Sequence, residues 1–210
     1  MISAWLPLVG VVLLFAVLCW RSWWQRRRYG GSGVVFLRSR RWQQQLRDAL
    51  GVVFVLLLAG QAVSAVAWPE SLAPLDSIYH SAAEIRQVIG TVLLFGGIAL
   101  LVIAQLNLGA SWRIGIEEGS RPGLVTSGFY RFCRNPIFFA ILIMLVGYTL
   151  LLPTRLSLVL LVGAFIGIRQ QVLTEESYLS RTYGDVYRAY ARRVGRFVPG
   201  IGRLRVNVER

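Results

Sequence analysis

Two short polar motifs in the second half of the chain carry side chains that can do chemistry. The first is Arg134-Asn135-Pro136, at the start of an apolar run, and the second is the carboxylate pair Glu175-Glu176, just after the next apolar run. Pro136 can open a helix, because its missing N–H would be unpaired there anyway. The free backbone N–H groups at such a helix start favour an anionic group, for example a carboxylate. Paired carboxylates can in turn hold a cation or hydroxyl groups.

Aromatic residues accompany the two motifs. Tyr183, Tyr187 and Tyr190 recur at helical spacing together with Leu179 and Val186, which predicts an amphipathic C-terminal helix that lies back against the rest of the protein. A pocket bounded by a helix N-terminus, paired carboxylates and aromatic walls suits a zwitterionic, cationic or aromatic cofactor. A structural interpretation, in which the glutamates only neutralise the Arg-rich tail, fits these residues equally well.

The elements that must position these motifs are predicted to be membrane-spanning helices. The chain has 210 residues, of which 55% are hydrophobic and 16% charged, and its mean hydropathy is +0.56. Soluble domains contain about 25% charged residues, so this composition argues against a soluble enzyme. A spanning helix needs about 20 apolar residues. Five apolar runs predict an all-α protein with five spans, at residues 2–20, 49–68, 88–108, 137–152 and 156–168 (continuing to 173). Pro153-Thr154-Arg155 makes the last two a helical hairpin.

The charge pattern predicts how the chain is oriented. The formal net charge is +13, and all 23 basic residues are Arg. The segments 21–48, 109–136 and 169–210 hold 21 of them, whereas the other two connections hold only Arg86 and Arg155. Cytoplasmic loops carry the basic excess, so we expect the N-terminus outside and both motifs on the cytoplasmic face.

The net positive charge predicts an anionic binding partner. Nucleic acid and anionic lipid both fit this charge, and the hydrophobicity of the chain favours lipid over nucleic acid. Residues 29–33 are predicted to form a hinge, and residues 36–50 a basic helix on anionic headgroups. The Lys-free composition is typical of a bacterial protein, so we expect a multi-pass inner-membrane protein.

The histidine and cysteine content excludes several types of catalytic and metal site. The single histidine, His80, falls in the predicted outer loop 69–85. Ser-His, Cys-His and His-metal chemistry are therefore excluded on the cytoplasmic side. Cys19 and Cys133 are too few for a structural zinc site, which needs four ligands, and we predict no metal.

Residues 105–200 resemble the isoprenylcysteine carboxyl methyltransferase family and related membrane phospholipid methyltransferases. Asn135 stands where that family has His, Phe138 where it has Tyr, and Ala140 where it has Gly. The matching pieces occur in the family's order: Leu124-Val125-Thr126-Ser127-Gly128-Phe129-Tyr130, Arg134-Asn135-Pro136-Ile137-Phe138-Phe139-Ala140, Glu175-Glu176, Tyr183-Gly184-Asp185-Val186-Tyr187-Arg188-Ala189-Tyr190 and Pro199.

The resemblance implies a membrane-embedded methyltransferase that uses S-adenosylmethionine and acts on a lipophilic small molecule, a lipid or a prenylated substrate. It implies a catalytic region over residues 105–210 that includes the hairpin 137–173, whereas hydrophobicity and charge predict N-terminal spans with a basic cytoplasmic loop 21–48 over residues 1–104. Arg169 is expected to face the lipophilic substrate; exact alignment with the family motif would place Gln171 at that position. Glu176 is expected to be the second catalytic side chain. The expected cofactor-binding residues are Gly123, Leu124, Val125, Tyr130, Asn135, Pro136, Ile137, Phe138 and Glu175.

The residue inventory favours one acceptor chemistry over another. A sulfonium methyl is already activated, so its transfer needs mainly alignment of the nucleophile, methyl and sulfur. A carboxylate is ionised at pH 7 and needs no base, whereas an amine must first lose a proton. Carboxyl methylation is therefore favoured. Two alternatives stay open: a membrane reductase of the sterol-reductase type, binding NADPH through Arg134, Arg188 and Arg192, and a non-catalytic membrane scaffold.

Overall fold

The computed structural model describes residues 2–31, 33, 42–70, 72, 83–112 and 123–204. Every long element in these ranges is an α-helix, which confirms the all-α prediction. Short 3₁₀ turns follow the third helix at Gly109–Ser111 and precede the fourth at Gly128–Arg131. The helices are α1 (Ile2–Tyr29), α2 (Trp42–Ala67), α3 (Ala83–Leu108), α4 (Pro136–Leu151) and α5 (Arg155–Arg193).

The lengths and composition of the helices fit a multi-pass membrane protein. Helices α1, α2, α3 and α5 each contain an apolar stretch long enough to cross a bilayer. Helix α4 has 16 residues, about 24 Å at 1.5 Å per residue, which is shorter than the usual hydrocarbon thickness of about 30 Å. Helix α4 packs among the other helices, where it contacts α1, α3 and α5. The sequence predicted five spans, and the described residues form four long apolar helices and the shorter apolar α4, which confirms a bundle of four to five membrane-spanning helices. The orientation stays a prediction.

Two predicted boundaries differ from the structure at the N-terminal half. Helix α1 does not end near residue 20 but continues through the Trp- and Arg-rich stretch to Tyr29. The predicted basic surface helix 36–50 is only partly described, since residues 34–41 lie outside the described ranges, and from Trp42 onwards it is the first part of α2. His80 and the rest of segment 73–82 also lie outside them.

Helices α3 and α4 form the most extensive helix pair, and glycines set their separation. A Cβ atom at Gly147 would come within 2.3 Å of the Leu94 backbone nitrogen and 2.7 Å of the Gly90 carbonyl oxygen. A Cβ at Gly97 would come within 2.7 Å of the Met144 nitrogen. Small residues at such positions allow the close backbone approach that is typical of membrane helices.

The turn between α4 and α5 is fixed by polar side chains that satisfy one another. Thr154 caps α5 by accepting a hydrogen bond from the Ser157 backbone nitrogen at 3.1 Å. Gln61 of α2 donates to both side-chain hydroxyls, at 3.0 Å to Ser157 and at a closer approach to Thr154. Because these groups are buried, their mutual hydrogen bonds fix the direction in which α5 leaves the turn.

Helix α5 is longer than the predicted fifth span. It runs on from Arg155 to Arg193, so the expected C-terminal amphipathic helix is a continuation of the span. Gly184, with φ 54° and ψ −126°, breaks the regular helical geometry. The 29 residues before this break reach about 43 Å, so α5 extends about 13 Å beyond a hydrocarbon layer of about 30 Å.

A buried arginine joins α1 to the end of α3. Arg21 is fully buried and donates to the carbonyl oxygen of Gly109 at 2.7 Å and, more weakly, to that of Gln105 at 3.5 Å. Its guanidinium lies 4.6 Å from the Trp112 ring centroid. The last carbonyls of a helix have no partner inside the helix and attract a cation. Arg21 thus holds the chain where it leaves α3 toward the second half of the protein.

Candidate functional site

The α4–α5 hairpin brings the two polar motifs together. Asn135 lies immediately before α4, and Glu176 lies about six turns into α5, on the antiparallel return helix. The Asn135 side-chain nitrogen donates to Glu176 Oε1 at 3.3 Å. The Arg-Asn-Pro turn and the glutamate pair therefore meet at one end of the hairpin, as the sequence analysis required.

Glu176 is the centre of an ion-pair cluster. Its carboxylate accepts hydrogen bonds from the Arg134 guanidinium at 2.9 Å and from the Arg196 guanidinium at 2.8 Å, with a second Arg196 contact at 3.1 Å. The side chains of Glu176 and Arg134 are only 12% and 2% exposed. The Glu176 hydrogen bond raises the pKa of Arg196 above its ordinary value, outweighing the effect of burial. The Arg196 guanidinium therefore stays charged at neutral pH.

Arg134 also binds the C-terminal segment through backbone carbonyls. Its guanidinium donates to Ala191 at 2.8 Å, to Val194 at 2.6 Å and to Gly202 at 3.1 Å. The Arg134 backbone nitrogen donates to the Gly195 carbonyl at 2.9 Å, next to an isolated parallel bridge between Cys133 and Gly195. One arginine thus fixes the turn before α4, the second half of α5 and the segment that follows α5.

Cys133 is not a chemical participant in this arrangement. Burial raises the pKa of its thiol to about 11, and a hydrogen bond and the nearby Arg134 charge only partly offset this effect. The thiolate is the reactive form, so a thiol that stays protonated at neutral pH is a poor nucleophile. The residue packs as a small buried side chain beneath the turn.

The segment before α4 forms one wall of the site against the tyrosines of α5. Leu124 packs on the cluster of Tyr187, Tyr190, Ala191 and Val194. The Tyr190 hydroxyl donates to the Tyr130 carbonyl oxygen at 2.5 Å. These contacts explain why the tyrosines recur at helical spacing: they face the 123–130 segment rather than lipid.

Asn107 at the end of α3 holds the other side of this wall. Its side-chain oxygen accepts a hydrogen bond from the Phe129 backbone nitrogen at 2.8 Å. The adjacent Gly128 has φ 59°, and a Cβ there would overlap the same Asn107 oxygen at 1.8 Å. Only glycine fits this close approach with this backbone conformation.

Most of the predicted cofactor-binding residues lie on or beside this wall. Burial raises the pKa of Tyr130 well above its usual value, and the charge of Glu175 adds to the increase, which places these two predicted residues within electrostatic reach. Tyr130, Asn135 and Pro136 are buried, Gly123 is exposed, and the others are half-buried: Leu124, Val125, Ile137, Phe138 and Glu175.

The predicted catalytic residues occupy different environments. Glu176 lies within the ion-pair cluster, where Arg134 and Arg196 neutralise it. Arg169 is exposed on α5, about two helical turns before Glu176. The structure therefore joins Glu176 to the Arg-Asn-Pro turn and leaves Arg169 on the outer surface of the helix.

Helix α4 begins as predicted. Pro136 is its first residue, and no side chain caps its N-terminus through a hydrogen bond. The Asn135 side chain instead points to Glu176 and to the Arg196 carbonyl oxygen, at 3.2 Å. The first turn of α4 therefore keeps the uncapped backbone donors and the positive end of the helix dipole that favour an anionic ligand group.

A comparison with protein families finds a match for a segment that begins in α3 and ends in α5. Residues 85–186 match the family model described as phospholipid methyltransferase. Just under half of the chain is therefore similar to the phospholipid methyltransferase family. The matching segment starts near the beginning of α3 and includes the Arg-Asn-Pro turn and both glutamates, so the resemblance noted from the motifs is confirmed.

A solved structure supports the same fold. The chain is similar to a eukaryotic intramembrane Ras methyltransferase, ICMT (isoprenylcysteine carboxyl methyltransferase), solved without a monobody, with a TM-score of 0.51 and 20% sequence identity. The match covers 80% of this chain and 56% of that chain, so the present chain spans little more than half the length of this structural relative. No curated protein sequence matches the chain.

Three polar residues near the candidate site have contacts that the sequence analysis did not predict. Arg134 was expected only as part of the Arg-Asn-Pro motif or as a phosphate contact, and Arg196 had no expected role. Both are Arg residues next to Pro-containing turns near the glutamate pair, a pattern that could have suggested partners for Glu176. Asn107 gave a signal too, since it is a polar residue at the end of an apolar run.

The structure also weakens the reductase alternative. Arg134 is buried and already donates to a carboxylate and three carbonyls. Arg188 pairs with Asp185 at 2.8 Å on an exposed part of α5. A cofactor 2′-phosphate would need a cation that is not already neutralised, and neither residue provides one; the third candidate, Arg192, is exposed near the end of α5.

Proposed function

We propose that this chain is a membrane-embedded, S-adenosylmethionine-dependent methyltransferase that acts on a lipophilic acceptor. The observation that carries the proposal is the meeting of the Arg-Asn-Pro turn with Glu176, 41 residues later in the chain, inside a phospholipid methyltransferase family domain. Insertion into a membrane does not require these contacts, whereas a binding site at the end of the hairpin requires them.

The residues present fit the cofactor. A sulfonium amino acid carries two cationic groups, a carboxylate and a nucleoside, and the site offers a carboxylate, an uncapped helix N-terminus and aromatic side chains. The family resemblance implies that Glu175 binds the cofactor, and Glu175 lies within electrostatic reach of the predicted cofactor-binding residue Tyr130, so we assign the cationic part of the cofactor to Glu175. The residues that would hold the remainder are Gly123, Leu124, Val125, Tyr130, Asn135, Pro136, Ile137 and Phe138.

When bound, the cofactor supplies an activated methyl group, so the protein contributes mainly positioning. The Glu176 cluster fixes the turn before α4 relative to α5, and Asn135 is fixed by its two hydrogen bonds. Glu176 then acts as a positioning residue rather than as a base, because its charge is stabilised by Arg134 and Arg196. This refines the catalytic role expected from the sequence.

The surface of α5 suits a lipophilic acceptor. Val162, Ile166 and Arg169 follow one another at intervals of four and three residues, so they share a face of the helix, and all three are exposed. An acceptor tail lying along the apolar part of this stripe would bring an acidic head group to Arg169. We therefore propose a carboxylate acceptor, such as a lipid or prenylated acid, and a site on the cytoplasmic face.

The proposal predicts a labelled lipid product. Purified full-length protein in nanodiscs is incubated with methyl-labelled S-adenosylmethionine and a membrane lipid extract. We expect lipid-soluble label that mild alkali converts into volatile labelled methanol, because a carboxyl methyl ester is hydrolysed whereas an N-methyl bond is not. Lipid label that yields no labelled methanol would contradict the carboxylate assignment, and the absence of labelled product would contradict methyl transfer.

Two matched variants of α5 locate the site in the same assay. Glu175→Gln should lower the rate about tenfold or more, because a hydrogen bond to a charged group is worth about 1.5–3 kcal/mol. Asp185→Asn removes the same charge from an exposed surface pair and should leave the rate unchanged. Equal rates for the two variants would contradict the assignment of Glu175.

A further inference from the structure

A buried tyrosine hydroxyl beside the Glu176 cluster has an unused hydrogen-bond donor. Tyr187 is 3% exposed, and its hydroxyl donates to no group within the part of the chain that the structure describes. The Tyr183 hydroxyl, one turn earlier and before the Gly184 break, is also buried and donates to no described group. Buried hydroxyls nearly always have a partner, because leaving one unpaired destabilises the protein.

The neighbours of Tyr187 explain why its proton has no acceptor. The hydroxyl lies beside the Arg134 guanidinium and within electrostatic reach of Glu176 and Glu175. Arg134 can only donate hydrogen bonds, so it can donate to the phenolic oxygen but cannot receive the phenolic proton. The Glu176 oxygens already accept from Arg134, Arg196 and Asn135. The phenolic proton therefore has no acceptor among the described residues.

Other buried tyrosines of this protein do not share this property. The Tyr190 hydroxyl donates to the Tyr130 carbonyl oxygen, and the Tyr148 hydroxyl in α4 donates to the Leu58 carbonyl oxygen at 2.9 Å. Unpaired hydroxyls thus occur at the two tyrosines that flank Gly184, next to the wall formed by Leu124. This location indicates a ligand rather than poor packing.

We propose that Tyr187, assisted by Tyr183, donates a hydrogen bond to an oxygen acceptor of the bound cofactor, either a ribose hydroxyl or the carboxylate. This inference rests on the proposed function, since it deepens the description of the same site. It makes Tyr187 a cofactor-binding residue that none of the sequence motifs had assigned. It also gives the Gly184 break a role, because the break orients the two hydroxyls that flank it.

The test compares two Tyr→Phe variants of the full-length protein in detergent micelles. S-adenosylhomocysteine is titrated by calorimetry, and the melting temperature is measured without ligand. Tyr187→Phe removes an unpaired hydroxyl, so the ligand-free protein should melt no lower than the wild type, while the dissociation constant rises about three- to tenfold. Tyr148→Phe, the control, removes a paired hydroxyl far from the site, so it should melt lower and bind with unchanged affinity.

The outcomes separate the inference from the function on which it rests. Wild-type binding with unchanged affinity in Tyr187→Phe would overturn the role of Tyr187 and leave the proposed function standing. A lower melting temperature of ligand-free Tyr187→Phe would overturn the inference as well, because the hydroxyl would then have a partner within the protein. Absence of S-adenosylhomocysteine binding by the wild type would overturn both.

Discussion

At the scale of single residues, two adjacent glutamates of α5 have different surroundings. Consecutive residues on a helix point about 100° apart, so Glu175 and Glu176 cannot both face the same arginines. Glu176 faces Arg134 and Arg196, and Glu175 lies within electrostatic reach of Tyr130. The first forms the structural ion pair, and we assign the second to the ligand.

This division predicts that Glu176→Gln is strongly destabilising. The substitution leaves Arg134 buried without its counter-charge, and removing one partner of a buried pair costs about 3 kcal/mol or more. Unfolding by denaturant in micelles, without ligand, measures the effect. Asp185→Asn serves as the control, because its carboxylate is 94% exposed and should change stability by less than about 0.5 kcal/mol. Equal stabilities of the two variants would contradict the structural role of Glu176.

The sequence predicted which residues gather at the site but not how they divide their roles. Chain order and the hairpin were sufficient to bring the Arg-Asn-Pro turn to the glutamate pair. The choice of Glu176 over Glu175 depends on the rotation of α5 about its axis. The partner Arg196 depends on the chain folding back after α5. The rotation of α5 has no local sequence signal, and the Arg and Pro residues after α5 do not by themselves fix where that segment folds back.

At the scale of elements, the hairpin and its packing against α3 carry the site. The spans were predictable because length and hydrophobicity are sufficient to define a membrane helix. The continuation of α5 to Arg193 was missed, because its apolar pattern weakens at the membrane boundary while the helix itself continues. The predicted hairpin turn is present, since Pro153 and the Thr154 cap leave a sharp local signal.

The close contact of α3 and α4 predicts a strong effect of one added methyl group. Gly147→Ala places a Cβ against the backbone of Leu94 and Gly90, so the helices must separate, at a cost of about 1–3 kcal/mol. Gly163→Ala on α5 meets nothing within 4 Å and should be neutral or slightly stabilising. Denaturant unfolding of both variants in micelles checks this expectation. A Gly147→Ala protein as stable as Gly163→Ala would show that the two helices are not in close contact.

At the scale of the whole molecule, one core unites the helices on both sides of the family boundary. Buried residues of this core come from all five helices, for example Val11, Leu58, Leu94, Met144 and Leu160. The division into residues 1–104 and 105–210 stays a prediction about function, whereas the packing is shared. The sidedness also stays a prediction, resting on the 21 of 23 arginines in three of the five connecting and terminal segments.

The class of the molecule was predictable because hydrophobic length, charge distribution and motif order are properties of the entire chain. The position of the segment after α5 was not. It is held by contacts such as Arg134 to Gly202 and the Leu204 nitrogen to the Ala191 carbonyl oxygen, which join residues distant in sequence. These contacts hold the segment after α5 next to Arg134 and α5.

The most direct test of the central claim is photoaffinity labelling of the full-length protein in nanodiscs with radiolabelled S-adenosylmethionine. Proteolysis and mass spectrometry then locate the label. We expect it in peptides that contain residues 123–138 and residues 175–187, and we expect excess S-adenosylhomocysteine to abolish it. Label confined to the first two helices, or label that the competitor does not reduce, would contradict a cofactor site between the Arg-Asn-Pro turn and the glutamate pair.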